Sequence, residues 1–323
     1  MHPRIRSILF IGPFVLSAAA AARADHGPGT SGGGTSTPSG ETLKPGMFSV
    51  DLRFDYTEFE NVTTPEIEAR AQKADEHFDF LNRSFLETLS LGCGVTEDVQ
   101  VGASIGAYEA VRARTAEFDP ATGETEQEAF DPDGLTDLWL TAKYRFYRGP
   151  AGSAAVFGGG KLPTGRDRVR NSGHERVEPA STAGSGAFDG MLGAAYSVFL
   201  TSRVTLDAGG QYTLRGEHDD FRLGDRIDGG VALAYRLVED AKTFPQASVF
   251  AEATIRRLFR KKEDGHEDPD SGGTTLFLSP GLRVGVSPHV AFSVSPQFPV
   301  VQCLNGEQLE TDLKIVASLT FTF

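Results

Sequence analysis

The end of the chain alternates between two kinds of side chain over fifteen residues. Odd positions from Leu309 to Phe323 are mostly apolar, whereas even positions from Glu310 to Thr322 are mostly charged or hydroxylated. Successive side chains on a strand face opposite sides, so this pattern predicts one strand with an apolar and a polar face. Typical strands have about 5–6 residues, while a strand that crosses a bilayer needs roughly 9–11. The length therefore predicts a membrane-spanning strand.

The final residues also resemble the end of bacterial outer-membrane barrels, where a terminal strand closes on phenylalanine. Phe321 and Phe323 lie on the apolar row of this strand. From this resemblance we expect Phe321 and Phe323 to form a barrel-assembly signal that the barrel assembly machinery recognises.

The first residues have the pattern of a secretory signal peptide. Arg4 and Arg6 precede an apolar run from Ile8 to Ala22, and Ala22-Arg23-Ala24 is an A-x-A cleavage site. We therefore predict a signal peptide over residues 1–24 and exclude it from the fold. No later segment approaches twenty apolar residues. Because only helices and closed barrels satisfy backbone groups in lipid, a membrane form of this chain must be a barrel.

The charge and the cysteines restrict the partners and the compartment. The formal net charge is −13, and the signal segment carries only basic residues, so the mature chain is still more acidic. This argues against nucleic acid as a partner. Cys93 is predicted near the periplasmic end of a strand and Cys303 near the outer rim. Bridged Cα atoms must lie within about 7 Å, so no disulfide is predicted.

The rest of the chain divides into a linker and a series of strands. Residues 25–46 are rich in Gly, Ser, Thr and Pro without periodicity, which predicts a flexible periplasmic linker. From Met47 onward, alternation and turn residues predict a barrel over 47–323 with about twelve strands. They run roughly over 47–59, 82–95, 99–112, 135–147, 153–163, 186–200, 203–215, 225–238, 246–258, 273–286, 289–300 and 309–323.

Short and long connections alternate along the whole series. Outer-membrane barrels have short periplasmic turns, longer external loops and an even number of strands. We therefore predict an all-β fold, a transmembrane antiparallel up-and-down β-barrel with a polar lumen, in the bacterial outer membrane and in contact with its lipid. Within the loop 60–81, Thr64 as cap and Pro65 at the first helical position predict a short helix.

Charged residues on the strands are predicted to face the lumen, because a charge facing lipid at mid-bilayer costs about 2–4 kcal/mol. The functional interpretation is a solvated pore whose charges bias permeation. The structural one is a set of cross-strand salt bridges, and both can hold. The predicted inward charges are Asp51, Arg53, Asp55, Glu87, Asp137, Lys143, Arg145, Asp207, Arg215, Arg226, Asp228, Arg236, Glu252, Arg256, Arg283, Glu310, Asp312 and Lys314.

Two histidine-acid clusters are the best candidates for chemistry at the rim. His218-Asp219-Asp220 and His266-Glu267-Asp268 both lie in predicted external loops. A histidine beside a carboxylate can activate water, but acidic solvated loops have the same composition. No nucleophile elbow, paired-histidine zinc motif or P-loop occurs. We predict no enzyme activity, no catalytic residue, no metal and no cofactor.

Five motifs follow one another in the second part of the chain. They are Gly134 to Leu140 with Lys143 to Phe146, Gly160 to Gly165, Gly184 to Gly190, Gly272 to Leu282, and Pro299 to Gln302 with Asn305-Gly306. In this order they resemble an outer-membrane family named for the meta-pathway of phenol degradation, over about residues 134–323. The resemblance implies a barrel often labelled a transporter, with small aromatic or otherwise apolar cargo and no catalytic residue.

Three functions stay open at this point. The first is passive uptake of small molecules through the lumen. The second is a structural or surface-interaction barrel, plugged by the linker, by the loop 60–81 or by the inward charges. The third is a rim hydrolase, which requires His218, Asp219 and His266 to converge.

Overall fold

A computed structural model describes residues 34–74, 77–240 and 243–323. The predicted signal peptide and the first part of the predicted linker, up to residue 33, lie outside the described residues and stay predictions. Within the described ranges, no helix is long and apolar enough to cross a membrane.

Twelve long strands form one closed antiparallel barrel, which confirms the predicted fold class. Each pairs with the next in sequence, and the last pairs with the first. They are β1 (Phe48–Phe59), β2 (Arg83–Gly94), β3 (Val99–Val111), β4 (Leu138–Gly149), β5 (Gly152–Leu162), β6 (Asp189–Phe199), β7 (Val204–Leu214), β8 (Arg226–Arg236), β9 (Gln246–Leu258), β10 (Gly273–Ser287), β11 (Val290–Leu304) and β12 (Thr311–Thr322).

The barrel is apolar outside and polar inside. Large apolar side chains on outward positions are exposed, and Val231 on β8 keeps 49 % of its surface accessible. Polar side chains on inward positions are buried, and Asp207 on β7 is only 1 % exposed. This distribution suits hydrocarbon outside the strands and a polar lumen within them.

The closing seam joins the two ends of the barrel chain. β1 and β12 pair along nearly their whole length. The amide of Phe48 donates to the carbonyl of Phe323 at 2.7 Å, the amide of Phe323 donates back at 3.0 Å, and the two rings stack with centroids 6.2 Å apart. Phe321 lies on the same outward row of β12. The role of both residues in assembly stays a prediction.

The loop 60–81 contains the expected helix, α1 (Thr64–Ala71). Its cap is Thr63 rather than Thr64, because the Thr63 amide and hydroxyl both donate to the Glu66 carboxylate, at 2.7 and 2.8 Å. Pro65 then stands at the second helical position, where its missing amide proton costs no hydrogen bond.

Three short strands pack beside α1 and form the first external loop sheet, Phe78–Phe80, Arg114–Asp119 and Glu124–Ala129. The strands predicted from sequence leave 113–134 as a connecting loop, whereas the structure forms a hairpin over 114–129. Its inner side instead covers a small apolar core. The buried members of that core are Ile67, Ala71, Phe78, Phe80 and Ala116.

A second external loop sheet contains Glu217–His218, Phe221–Arg222, Lys262–Glu263 and His266–Glu267. Lys261 connects it to the neighbouring loops, through ion pairs with Glu178 and with Asp268 at 3.0 Å. Burial lowers the pKa of Lys261, but the two carboxylates outweigh burial and raise that pKa above its ordinary value.

The two cysteines lie at opposite ends of the barrel. Cys93 pairs with Phe48 at the periplasmic end, and Cys303 pairs with Thr274 at the external end. Both are free thiols.

Candidate functional site in the barrel lumen

Within the segment 34–46, residues 34–43 lie inside the barrel and Pro45 and Gly46 are exposed at its periplasmic end, which corrects the prediction of a flexible periplasmic linker for residues 34–43. Glu252, on the inner face of β9, accepts hydrogen bonds from the amides of Ser36 at 3.0 Å and Thr37 at 2.6 Å. The hydroxyl of Thr35 donates to the same carboxylate at 3.3 Å. Hydrogen bonds to a charged group are roughly twice as strong as neutral ones, so Glu252 is the main anchor of the segment.

Cations of the wall hold the backbone of the same segment. They donate to carbonyl oxygens that have no partner in a strand. The three contacts are Arg283 to Gly34 at 3.2 Å, Arg53 to Thr35 at 2.5 Å, and Lys143 to Ser39. Three of the charges predicted to line a pore therefore bind the chain's own N-terminal segment.

Two glycines of the wall make room for this segment. A Cβ added to Gly209 on β7 would lie 2.6 Å from Cγ of Pro38, and one added to Gly230 on β8 would lie 2.5 Å from Oγ1 of Thr37. Real Cβ atoms do not approach other atoms so closely. The segment therefore fits the inner wall only because these two positions carry no side chain.

The far end of the segment is tied to the turn between β2 and β3. The amide of Leu43 donates to the side-chain oxygen of Gln100 at 3.0 Å, and the hydroxyl of Thr42 donates to the carbonyl of Glu97 at 2.9 Å. The side chain of Leu43 is fully buried. The segment is thus bound at both ends before the chain enters β1.

The segment divides the open space of the lumen. A cavity of about 390 Å³ lies on one side and a cavity of about 350 Å³ on the other. Thr35, Ser36 and Pro38 line both cavities. Displacing these three residues would join the two volumes.

The external half of the lumen is crossed by an ion-pair cluster centred on Lys161. Its ammonium group lies 2.9 Å from the Asp137 carboxylate and 2.8 Å from the Asp189 carboxylate, and its side chain is 4 % exposed. Arg215 adds a second cation, 2.7 Å from Asp189. Asp137 also accepts from the amide of Ser185 at 3.0 Å. Lys161 and the two carboxylates thus satisfy one another, as buried charges require.

Further charges of the wall form two three-membered groups, each with one carboxylate between two cations. Each group by itself has one more cation than anion, and the carboxylates of Asp51 and Glu252 also act on Arg53. The groups are Arg226, Asp228 and Arg256, with contacts of 2.6 and 2.8 Å, and Arg53, Asp55 and Lys314, with contacts of 2.6 and 2.9 Å.

A third cavity, of about 380 Å³, lies beside the Lys161 cluster. Trp139, the single tryptophan of the chain, lines it from β4, and Pro179 and Ala180 of an external loop line it from above. It thus combines an aromatic and aliphatic lining with charged groups at one side.

The remaining predicted residues lie at other heights of the inner face. Arg145 is 2.9 Å from Asp98 in a periplasmic turn. Asp207 accepts a hydrogen bond from the hydroxyl of Ser197. Arg236 is the last residue of β8 and also lies at the periplasmic end. Asp51 accepts from the hydroxyl of Thr320 at 2.6 Å.

Three predicted inward charges lie elsewhere. Glu87 pairs with Phe54, which faces outward, and is exposed on the outer surface, so its predicted orientation is wrong. β2 alternates weakly in sequence, and a shift of one residue reverses every side chain. Glu310 precedes β12, and Asp312 lies beside the irregularity that shifts the β1–β12 register. Both are exposed at the external rim rather than within the lumen.

Sequence reasoning missed Lys161 and Asp189, which carry the centre of the external cluster. Lys161 stands in a run of glycines, and Asp189 stands at the start of the weakly alternating β6. The sequence does contain a signal for Lys161. Alternate residues of a strand share a face, and Lys161 follows Ser153, Ala155 and Gly159 at even spacing. It therefore lies on the inward face that Ser153 and Ala155 occupy.

The two rim histidines do not converge. His218 lies on one outer strand of the second external loop sheet and His266 on the other, with the strands of Phe221 and Glu263 between them. His218 is 3.4 Å from Asp219 and 3.8 Å from Asp167. Among the described residues, no group of three His, Cys, Asp or Glu side chains is placed to hold a metal ion.

Comparison with known families identifies the barrel. The profile of a family described as the MetA-pathway of phenol degradation matches residues 82–300, more than half of the chain. The chain belongs to this family. The match confirms the resemblance inferred from the motifs and extends it toward the N-terminus. A comparison with curated proteins finds no match.

Two solved structures align with this chain, and the first has the same barrel fold. An outer-membrane channel from Pseudomonas putida F1 aligns with a TM-score of 0.61 at 14 % identity, over 88 % of this chain and 97 % of that one. The transport unit of the autotransporter AIDA-I from Escherichia coli aligns with a TM-score of 0.47 at 9 % identity, over 87 % and 90 %. The protein is an outer-membrane β-barrel, as predicted.

Proposed function

We propose that this protein is a passive channel for small solutes, and that residues 34–46 set how wide its lumen is. The observation that carries the proposal is the pair of cavities separated by Thr35, Ser36 and Pro38. A barrel filled by its own side chains would leave no such space, whereas here the space between polar walls is open on both sides of a polypeptide segment.

Small aromatic compounds are the solute class that we propose. The family description refers to phenol degradation, and Trp139 lines the cavity of about 380 Å³ beside the Lys161 cluster. An aromatic ring can stack on tryptophan while a hydroxyl group reaches the nearby charges.

Planar-bilayer recordings of the mature protein test this proposal. We expect small, stable conductance steps that phenol reduces, because a solute held beside Trp139 occupies the ion path. Trp139→Ala should keep the steps and lose the block by phenol. Phe157→Ala provides the matched control, since it removes an inward aromatic side chain that lines the cavity of about 390 Å³ and not this one.

A structural barrel with a plugged lumen is the second candidate, and the occupied lumen favours it. Glu252→Gln separates the two. It weakens the anchor of the segment, so a channel should show larger or more frequent openings. A folded protein that is silent in both the wild-type and the Glu252→Gln form would contradict the channel. Glu97→Gln, in an exposed periplasmic turn, is the control.

A further inference from the structure

A groove lies outside the lumen, at the external ends of β7 to β11. Its volume is about 680 Å³. Arg257 lines it from the outward row of β9, two positions beyond the exposed Ile255. Lys262 of the second external loop sheet lines it from above. The groove therefore begins where the apolar outer surface ends.

The edge of this groove is amphipathic. Leu258 and Phe259 are exposed large apolar residues. The guanidinium of Arg257 lies 5.5 Å from the centre of the Phe259 ring, within the range of a cation–π contact. Apolar groups and cations thus alternate over a few residues, as in proteins that hold a lipid by both its headgroup and its chains.

The lining carries more cations than anions. Arg222 is paired with Asp225 at 2.9 Å, and Lys262 with Glu267 at 3.4 Å. Within the part of the chain that the structure describes, the hydrogen bond of the Arg257 side chain is to the hydroxyl of Thr274, at 3.4 Å. Among the described carboxylates, none is within ion-pair distance of Arg257 or of the exposed Arg260.

The opposite side of the barrel has the reverse charge. At the external ends of β1 to β3, the outward positions carry Glu58, Glu87 and Glu109, with Arg83 beside Glu58 in the register. This acidic side repels anions, while the groove attracts them. The excess of cations is confined to the groove, because the chain as a whole is acidic, with a net charge of −13.

We propose that the groove binds the phosphorylated headgroup of a glycolipid in the outer leaflet. Arg257 and Arg260 would contact the phosphate, since guanidinium groups match phosphate oxygens with two parallel hydrogen bonds. The Phe259 ring beside Arg257 would contact the first carbons of the acyl chains. The occupant is a lipid rather than a free anion, because the groove opens onto the apolar outer surface and not onto the lumen.

Titration of the purified full-length protein with lipid A that carries two phosphates tests the proposal, with native mass spectrometry as the readout. We expect Arg257→Gln/Arg260→Gln to weaken binding roughly 25-fold, since each basic residue near an anionic lipid surface contributes on the order of fivefold. Arg83→Gln changes an exposed outward arginine at the same end of the barrel and should bind like the wild type.

Two further arms identify the ligand chemistry. Lipid A without its phosphates should bind the wild type at least as weakly as the double variant binds the phosphorylated lipid. This comparison needs no variant and decides the question even if the double variant does not fold. Equal binding of both lipids, unchanged binding by the folded double variant, or displacement of the lipid by millimolar inorganic phosphate would each overturn the proposal.

Discussion

The two halves of the lumen use the same kinds of charged residue in different ways. In the periplasmic half, Glu252, Arg283 and Lys143 bind the backbone of residues 34–46. In the external half, Lys161 and its partners bind one another. The first set holds a segment that is not part of the wall, while the second consists of wall residues alone. We therefore expect occupancy of the lumen to depend on the periplasmic half and barrel stability on the external half.

The largest effect is expected from breaking the external cluster. Lys161→Met leaves Asp137 and Asp189 buried without their shared cation, and losing one partner of a buried pair costs about 3–5 kcal/mol. Arg215 offsets part of this loss, because it also contacts Asp189. Urea-induced unfolding of the refolded barrel measures the change.

The matched control for this substitution is Lys73→Met. Lys73 is largely exposed and lies 3.7 Å from Glu307, and such surface pairs contribute about 0–1 kcal/mol. If Lys161→Met were as stable as Lys73→Met, the external cluster would not be the part of the lumen that stabilises the barrel.

A second prediction concerns the wall behind the segment. Gly209→Val and Gly230→Val place side chains where Pro38 and Thr37 now lie, so we expect the segment to move and single-channel conductance to rise several-fold. Barrel stability should change much less than with Lys161→Met. Gly190→Val is the control, because a Cβ there meets no atom within 4 Å. Unchanged conductance in a folded Gly230→Val protein would show that the segment does not limit passage.

The smallest effect concerns pH at the external rim. Burial raises the pKa of Asp225, but hydrogen bonds from Arg215 and Tyr212 and the charge of Arg222 outweigh it and lower that pKa below its ordinary value. Because the folded-state pKa is lowered, the contribution to stability is present above about pH 4 and is lost as the pH falls further. Asp225→Asn should show a weaker acid-dependent fall in melting temperature than the wild type between pH 6 and 3. Equal slopes for the two proteins would contradict the assignment.

The prediction from sequence succeeded where alternation was long and clear. There the alternation of side chains alone placed four charged residues on the inner face. They are Lys143 on β4, Asp207 on β7, Arg226 on β8 and Lys314 on β12. It failed on β2, where Glu87 faces outward, because weak alternation leaves two registers that differ by one residue. The external loop sheets were also missed, since their short strands have no periodic pattern and form only against α1 and neighbouring loops.

The sequence by itself determined the barrel, because a period of two, clear on most of the twelve strands, allows only one face to meet lipid and only one face to meet the lumen. Only the tertiary structure decided what fills that lumen. Residues 34–46 have the composition of a linker, and their place depends on Glu252, Gly209 and Gly230, which lie far away in the chain. The partners of Lys161 likewise come from two other strands or loops. Contacts between distant residues of this kind leave no local pattern, so closure of the barrel has to bring them together first.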